Sequence, residues 1–446
     1  MPLRDIFVTA VVFGLLPFIL TRSWLGVLLW SWIGYMNPHR LTWSFAYTFP
    51  FAAIVAIPTL ISLFFSKDPK RFPVTPVTVV LLMFILWMNV TTIFATNVDE
   101  ALPQWDKVMK IQLMALVTLF VMHGQKKIHM LAWVITASIA FFGIKGGIFT
   151  ITRGGAFHVL GPPGSFIEGN TEISLALLMV LPLMRYLQLQ ATQKWLRWGI
   201  GVSMVLVTFS IVGSYSRGAL VGGIAIAVFL WFKSRQKLLM AMALAVVLPL
   251  VLMFMPQQWA DKMHTTVNYQ EDGSAMGRIN AWWFAWNLAK DNPLVGGGFE
   301  TFRPALFYAY APDPNDFHDA HSIYFEVLGE HGFVGLGLFL LLGILVWRTG
   351  TWIIRNTRGH PELKWASELA AMIQVGLVGY AVGGAFLGLA YYDLYYGMAA
   401  MLVLTQVHVR DQLAARERPV LVQPVRSAWP GGGSESGWPA PGRSLE

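Results

Sequence analysis

The chain has 446 residues, 55% of them hydrophobic and only 13% charged, with a mean hydropathy of +0.55. Soluble domains carry roughly a quarter charged residues, so the composition excludes a soluble globular protein and indicates a polytopic membrane protein. The absence of cysteine excludes disulfides and thiolate metal sites, and the net charge of +8 suggests nucleic acid only until the charges are placed.

Met1-Pro2-Leu3-Arg4-Asp5 leads into an apolar run with no small-residue cleavage site, so no cleavable signal is expected. The region 5–36 reads as one broken span or as two short ones meeting near Arg22, and 44–66 adds another. Further apolar runs at 78–97, 131–150, 200–213, 218–232, 238–255, 333–347 and 367–390 are long enough, or nearly so, to cross ~30 Å of hydrocarbon. Basic clusters fall at 67–71, 126–127, 194–197, 233–237, 348–364 and 410–418, with two apolar segments between each and the next. That regularity is the positive-inside rule, so these clusters are expected on the cytoplasmic side and nucleic-acid binding is excluded. The expected fold is all-α, with about twelve transmembrane helices and both termini inside. Its parts are N-terminal transmembrane helices (1–256), one large outward loop (257–320), C-terminal transmembrane helices (321–411) and a cytoplasmic disordered tail (412–446).

The outward loop contains eight Asp/Glu and four Lys/Arg, a bias opposite to that of the cytoplasmic clusters. Within it, 277–290 reads as an amphipathic helix carrying Trp282, Trp283 and Trp286 along the bilayer surface, ended by Asn292-Pro293. The triplet Gly296-Gly297-Gly298 is a flexible turn and only a weak phosphate signal, since no P-loop Lys-Ser/Thr follows. Unusual cations also fall on the outward side. Arg217 lies in the short turn Ser214-Tyr215-Ser216-Arg217-Gly218, Arg278 begins the Trp-rich helix, Arg303 follows, and Lys145 and Arg153 close an apolar span. Snorkelling or ion pairing accounts for any one of them. Five around one outward cavity point to a polyanion, and Arg suits bidentate phosphate recognition.

His321-Ser322 stands at the mouth of the last long apolar stretch, nine residues before Gly332-Phe333-Val334-Gly335. A titratable ring there is placed for proton transfer, against the plainer reading of a helix-capping His. Asp319 and Asp393 are candidate orienting acids for it. Asp313, Asp316, Asp319 and His318 read as a turn rather than a metal site, so neither metal nor cofactor is expected. The outward side has no nucleotide pool. An enzyme there needs a donor activated in the membrane, and a lipid-linked diphosphate sugar fits: cations stabilise the leaving diphosphate while a neutral His takes the acceptor's proton. A transporter would have similar spans, but its polar groups belong near the midplane rather than at the outer rim.

The long outer loop followed by His321-Ser322-x9-Gly332-x2-Gly335 resembles the signature of bacterial O-antigen ligases, which share a superfamily with O-antigen polymerases and protein O-oligosaccharyltransferases. Ser216-Arg217-Gly218, Gly277-Arg278 with Trp282, and 292–298 resemble it too. The resemblance implies a GT-C-like glycosyltransferase of the bacterial inner membrane. It would transfer a glycan from undecaprenyl diphosphate to lipid A–core at the periplasmic face, with inversion and without metal. It also implies a catalytic His321, essential Arg217 and Arg278, and a late acid at Asp393. The stretch 34–43 is similar to a subgroup labelled O-glycosylation ligases and linked to exosortase systems, which leaves the acceptor open among core lipopolysaccharide, protein and another polysaccharide.

Overall fold

In hydrocarbon every backbone N–H and C=O must find its partner within the segment, so an apolar chain of this kind folds as helices. The computed structural model describes residues 3–233, isolated positions between 238 and 259, and 273–417. The expected span 238–255, the start of the outward loop and most of the tail 412–446 lie largely or wholly outside the described residues. Two compact units are present, 1–409 and 410–446, and everything below concerns the first. Among the described residues the chain is all-helical, and seven helices are long and apolar enough to cross a membrane, with Phe51–Phe65 a shorter apolar helix.

The N-terminal region is two helices, α1 (Leu3–Thr21) and α2 (Ser23–Met36), broken where Arg22 leaves helical geometry (φ −138°, ψ 86°). They fold back on each other rather than forming one broken span. Arg4 donates to the carbonyl of Leu41 (3.1 Å) and Asp5 accepts from the Ala46 N–H (3.2 Å), so both ends of the hairpin lie together. With α3 (Phe51–Phe65) they close a cluster around Val12, Ile19, Ile33 and Val55.

The helices α4 (Pro76–Ile93), α5 (Val98–Val121), α6 (Gln125–Thr152), α7 (Asn170–Gln190), α8 (Lys194–Val212) and α9 (Arg217–Lys233) follow. Four of the basic clusters gather at one end of this bundle. Lys127 pairs with Asp68 (3.4 Å), His123 Nε2 meets the Arg71 carbonyl (2.7 Å), Gln188 donates to the Arg197 carbonyl (2.9 Å), and Gln190 donates to Glu368 beside Lys364. At the opposite end the turn 213–217 receives Asn170 Nδ2 on the Ser214 carbonyl (2.7 Å), and Tyr215 Oη donates to Gly155 (2.7 Å). The close approach of α6 to α8 uses Gly143 and Gly147. A Cβ on Gly147 would run into the backbone of Leu206, so a small residue is required there.

The loop expected to face outward contributes α10 (Gly273–Asp291) and α11 (Pro304–Tyr310). The final helices are α12 (Ile323–Asn356), α13 (Lys364–Gly383) and α14 (Asp393–Glu417). The Trp-rich helix is present and ends at Asn292-Pro293 as expected, and it has a small core of its own around Phe284, Leu288, Phe302 and Phe307. Helix α12 begins ten residues before the apolar run that announces it, because Ile323, Val327 and Leu328 are already buried. Gly332 kinks it at φ 66°, ψ −169°, a conformation essentially confined to glycine.

The loop 292–298 fills the kink. Phe333 N–H donates to the Pro293 carbonyl (2.9 Å), and the N–H groups of Gly297 and Gly298 donate to Gly329 (2.8 Å) and Glu330 (2.9 Å). Gly296 donates to Asn292, so the glycine triplet's three N–H groups are all spent on backbone and none is left for a phosphate. A Cβ on Gly332 would fall 2.7 Å from the Pro293 carbonyl oxygen and closer still to that of Leu294. Gly332→Ala is therefore expected to destabilise the protein by about 2 kcal/mol or more. It should lower the unfolding temperature in detergent, while Gly337→Ala, with nothing near its Cβ, should not.

Candidate functional site

The segment 313–322 is fastened to α10 before it reaches α12. Asn280 donates from Nδ2 to the carbonyls of Asp313 and Asp316 (both 2.8 Å) and accepts the Asp313 N–H (2.9 Å). The Asp313 carboxylate accepts from the Asn315 N–H (3.0 Å), which makes this stretch an Asx turn. Two residues along, Trp282 donates to the Ala320 carbonyl (2.8 Å) and stacks on Phe325 at 5.1 Å. The His318 ring lies over Gly277, so the residue beside it, Arg278, is brought up to the same loop.

His321 is held with φ at +41°, a left-handed backbone that costs a non-glycine residue free energy and collects at functional sites. Its ring lines an open cavity of about 280 Å³ with Gln104, Lys107, Glu172, Glu300, Asp319, Glu326 and Glu330. Burial lowers the His321 pKa below its usual range. The Arg278 guanidinium and His318 push the same way, and Asp319 and Glu172 oppose them. The balance favours the neutral imidazole at neutral pH, so a base is available.

Asp319 and His321 thus share one cavity, with Arg278 near enough to act on the His. Arg217 begins α9 as its first residue. Ser216 precedes it as N-cap and accepts the Ala219 N–H (3.1 Å). A cation at a helix start opposes the dipole, so helix stability does not explain it. Its neighbour Gly218 packs against Gly383, Phe386 and Leu387, and the chain runs from there into the cavity wall at Gly388 and Leu389. Arg303 forms an ion pair with Glu100 and donates through Nε to the carbonyl of Glu300. Lys145 and Arg153 are exposed toward the C-terminal end of α6 and do not line the cavity. Asp393 borders a second, small cavity of about 40 Å³ with Gly34, Tyr35 and Gly397.

Sequence reasoning passed over most of the cavity wall. Lys107 reaches it from α5, its ammonium 3.5 Å from the centre of the Phe166 ring, and it feels both Glu300 and Asp393. Glu326 and Glu330 lie one helical turn apart. Glu326 accepts the Ala390 N–H (3.0 Å); Glu330 accepts the Glu300 N–H (2.9 Å) and the Tyr391 hydroxyl (2.5 Å). Two acids at i, i+4 next to an apolar run were a readable signal, since such residues are seldom tolerated in a spanning segment without a role.

Residues 202–340 match a family model described as O-antigen ligase. Residues 3–192 match a family of unknown function (DUF5935). No match is found among curated proteins. The first match holds Arg217, Arg278, Arg303, Asp319 and His321; Lys107, Lys145, Arg153 and Glu172 fall in the second.

Proposed function

Because the chain belongs to the O-antigen ligase superfamily, we propose that it is a ligase that moves a glycan from undecaprenyl diphosphate onto lipid A–core at the periplasmic face of the inner membrane. The observation that carries this reading is His321, kept neutral in an open cavity beside Asp319 and within the field of Arg278. In the proposed step the imidazole takes the proton of an acceptor hydroxyl, and that oxygen attacks the anomeric carbon. The bond to the diphosphate breaks, its electron pair leaving with the polyprenyl diphosphate, and the anomeric centre inverts. Arg217 and Arg278 hold the diphosphate and stabilise the charge it gains. Lys145, Arg153 and Arg303, which are not part of the cavity lining, serve in this reading as a basic approach for the anionic lipid.

The test is reconstitution with undecaprenyl-diphosphate-linked glycan and two acceptors, lipid A–core and a second lipid-linked glycan. A product carried on lipid A–core, with the opposite anomeric configuration by NMR, is expected. A lengthened polyprenyl-linked glycan instead would make the protein a polymerase.

The orientation has its own check on this cysteine-free background. A cysteine replacing exposed Asn315 should react with an impermeant maleimide in intact spheroplasts. Reaction only after lysis would put the cavity on the wrong side of the membrane for this donor.

A further inference from the structure

Among the described residues, four that are not glycine have left-handed backbone, Asn37 (φ 47°), Tyr215 (φ 59°), Glu300 (φ 57°) and His321 (φ 41°), and the last two line the candidate cavity. Tyr215 stands two residues before Arg217, and His321 is the candidate base. Glu300 takes no part in the transfer step proposed above.

The surroundings of Glu300 hold it in place by its backbone rather than by its carboxylate. Its N–H donates to the buried Glu330 carboxylate (2.9 Å), whose other oxygen accepts the Tyr391 hydroxyl. Its carbonyl accepts Arg303 Nε. Phe299 before it is fully buried, with its ring 4.7 Å from His331 and 5.2 Å from Tyr391, and Thr301 after it is buried. A clasp of this kind fixes a strained conformation, and the outcome of the strain is that the side chain lines the His321 cavity.

The chemistry of that cavity narrows what it accepts. Five carboxylates line it, those of Glu172, Glu300, Asp319, Glu326 and Glu330, against one cation, Lys107. Carboxylates repel a diphosphate but accept hydrogen bonds from hydroxyl groups. Phe166, Phe302 and Tyr391 add apolar surface to the same wall. A base at His321 also requires the acceptor hydroxyl, not the diphosphate, to be inside. We propose that Glu300 is a substrate-binding residue that holds the acceptor saccharide by a hydroxyl beside the one His321 deprotonates, while the diphosphate stays outside at the arginines. This rests on the glycosyl-transfer reading above.

Glycine is the informative substitution, because it relieves a left-handed backbone while deleting the carboxylate. Glu300→Gly and Glu300→Gln are made in the full-length protein and compared for thermal unfolding, for binding of undecaprenyl diphosphate, and for transfer from the lipid-linked glycan at varied lipid A–core concentration. The expected result is unchanged or raised stability in Glu300→Gly and unchanged undecaprenyl diphosphate binding in both. The KM for lipid A–core should rise about 10- to 100-fold, as for one lost charge-assisted hydrogen bond, with kcat changing less. A stable Glu300→Gly that transfers like the unmodified protein at every acceptor concentration would overturn the inference and leave the transferase reading standing. So would a defect confined to donor binding. An unmodified protein that yields no transfer product would overturn the transferase reading, and this inference with it.

Discussion

Replacing Arg217 or Arg278 by Lys is expected to raise the donor concentration needed for half-maximal transfer by about 10- to 100-fold. Each substitution keeps the positive charge but loses the planar fork that grips two phosphate oxygens at once, a loss of about 1.5–3 kcal/mol. Neither residue is where helix stability would put it. Arg217 is the first residue of α9, immediately after its Ser216 cap, and Arg278 lies in the second turn of α10. Both are only half-buried, and neither is among the residues lining the His321 cavity, which carries five acidic side chains. In the proposed reading a diphosphate held by both would keep its negative charge outside the acidic cavity, with its sugar directed inward. Normal turnover at low donor concentration in both Lys variants would reduce these side chains to lipid-contacting cations. Binding of undecaprenyl diphosphate alone should weaken in parallel with the kinetic effect.

His321→Ala is expected to lower kcat by about 10²- to 10⁴-fold, the usual contribution of a positioned base, with little change in donor affinity. His321→Gly is the control for folding, because the backbone at +41° suits glycine; it should be as stable as the parent and equally inactive. The pH profile follows from the lowered His321 pKa. The active form is the neutral ring, so activity stays level as pH falls through the ordinary histidine range and drops only below it. Two substitutions move that acid limb in opposite directions. Arg278→Ala, measured at saturating donor, removes a charge that lowers the pKa and should shift the limb to higher pH. Asp319→Asn removes a charge that raises it and should shift the limb to lower pH. The folded protein resists protonation at this residue, so it also contributes to stability above the ordinary histidine range. That contribution is lost as pH falls from there toward the lowered value.

The membrane architecture was legible because charge is costly in hydrocarbon and therefore written along the chain. Basic clusters two segments apart come together at one end of the bundle through Lys127–Asp68, His123–Arg71 and Gln190–Glu368. The Trp-rich helix and its stop at Asn292-Pro293 were equally plain. Other features depend on contacts between segments far apart in sequence, and local pattern does not carry them. The apolar run 333–347 revealed only the later part of α12. Its first nine residues mix Glu326, Glu330 and His331 with buried Ile323, Val327 and Leu328. The kink at Gly332 exists because loop 292–298 packs into it.

The candidate site divides along the same line. His321 and Arg278 stood out as isolated polar residues beside apolar stretches, and the fold brings them to one loop. Lys107 and Glu172 come from helices about 150 to 210 positions earlier in the chain, and only packing places them in the His321 cavity. Arg303 illustrates the limit of counting cations: its partner Glu100 lies about 200 positions away. The break at Arg22 was marked as a point of ambiguity, and the contacts of Arg4 and Asp5 with residues 41 and 46 show two helices folded back on each other.

The most direct measurement is transfer by purified, reconstituted protein and by His321→Gln side by side, supplied with undecaprenyl-diphosphate-linked glycan and lipid A–core. Glutamine keeps a hydrogen-bonding side chain at the mouth of α12 but cannot accept a proton at neutral pH. A larger lipid A–core product is expected from the parent protein. None above about 1% of that rate is expected from His321→Gln, with equal folding and equal undecaprenyl diphosphate binding in the two. A His321→Gln protein that transfers at the parental rate would contradict the assignment of His321 as the base.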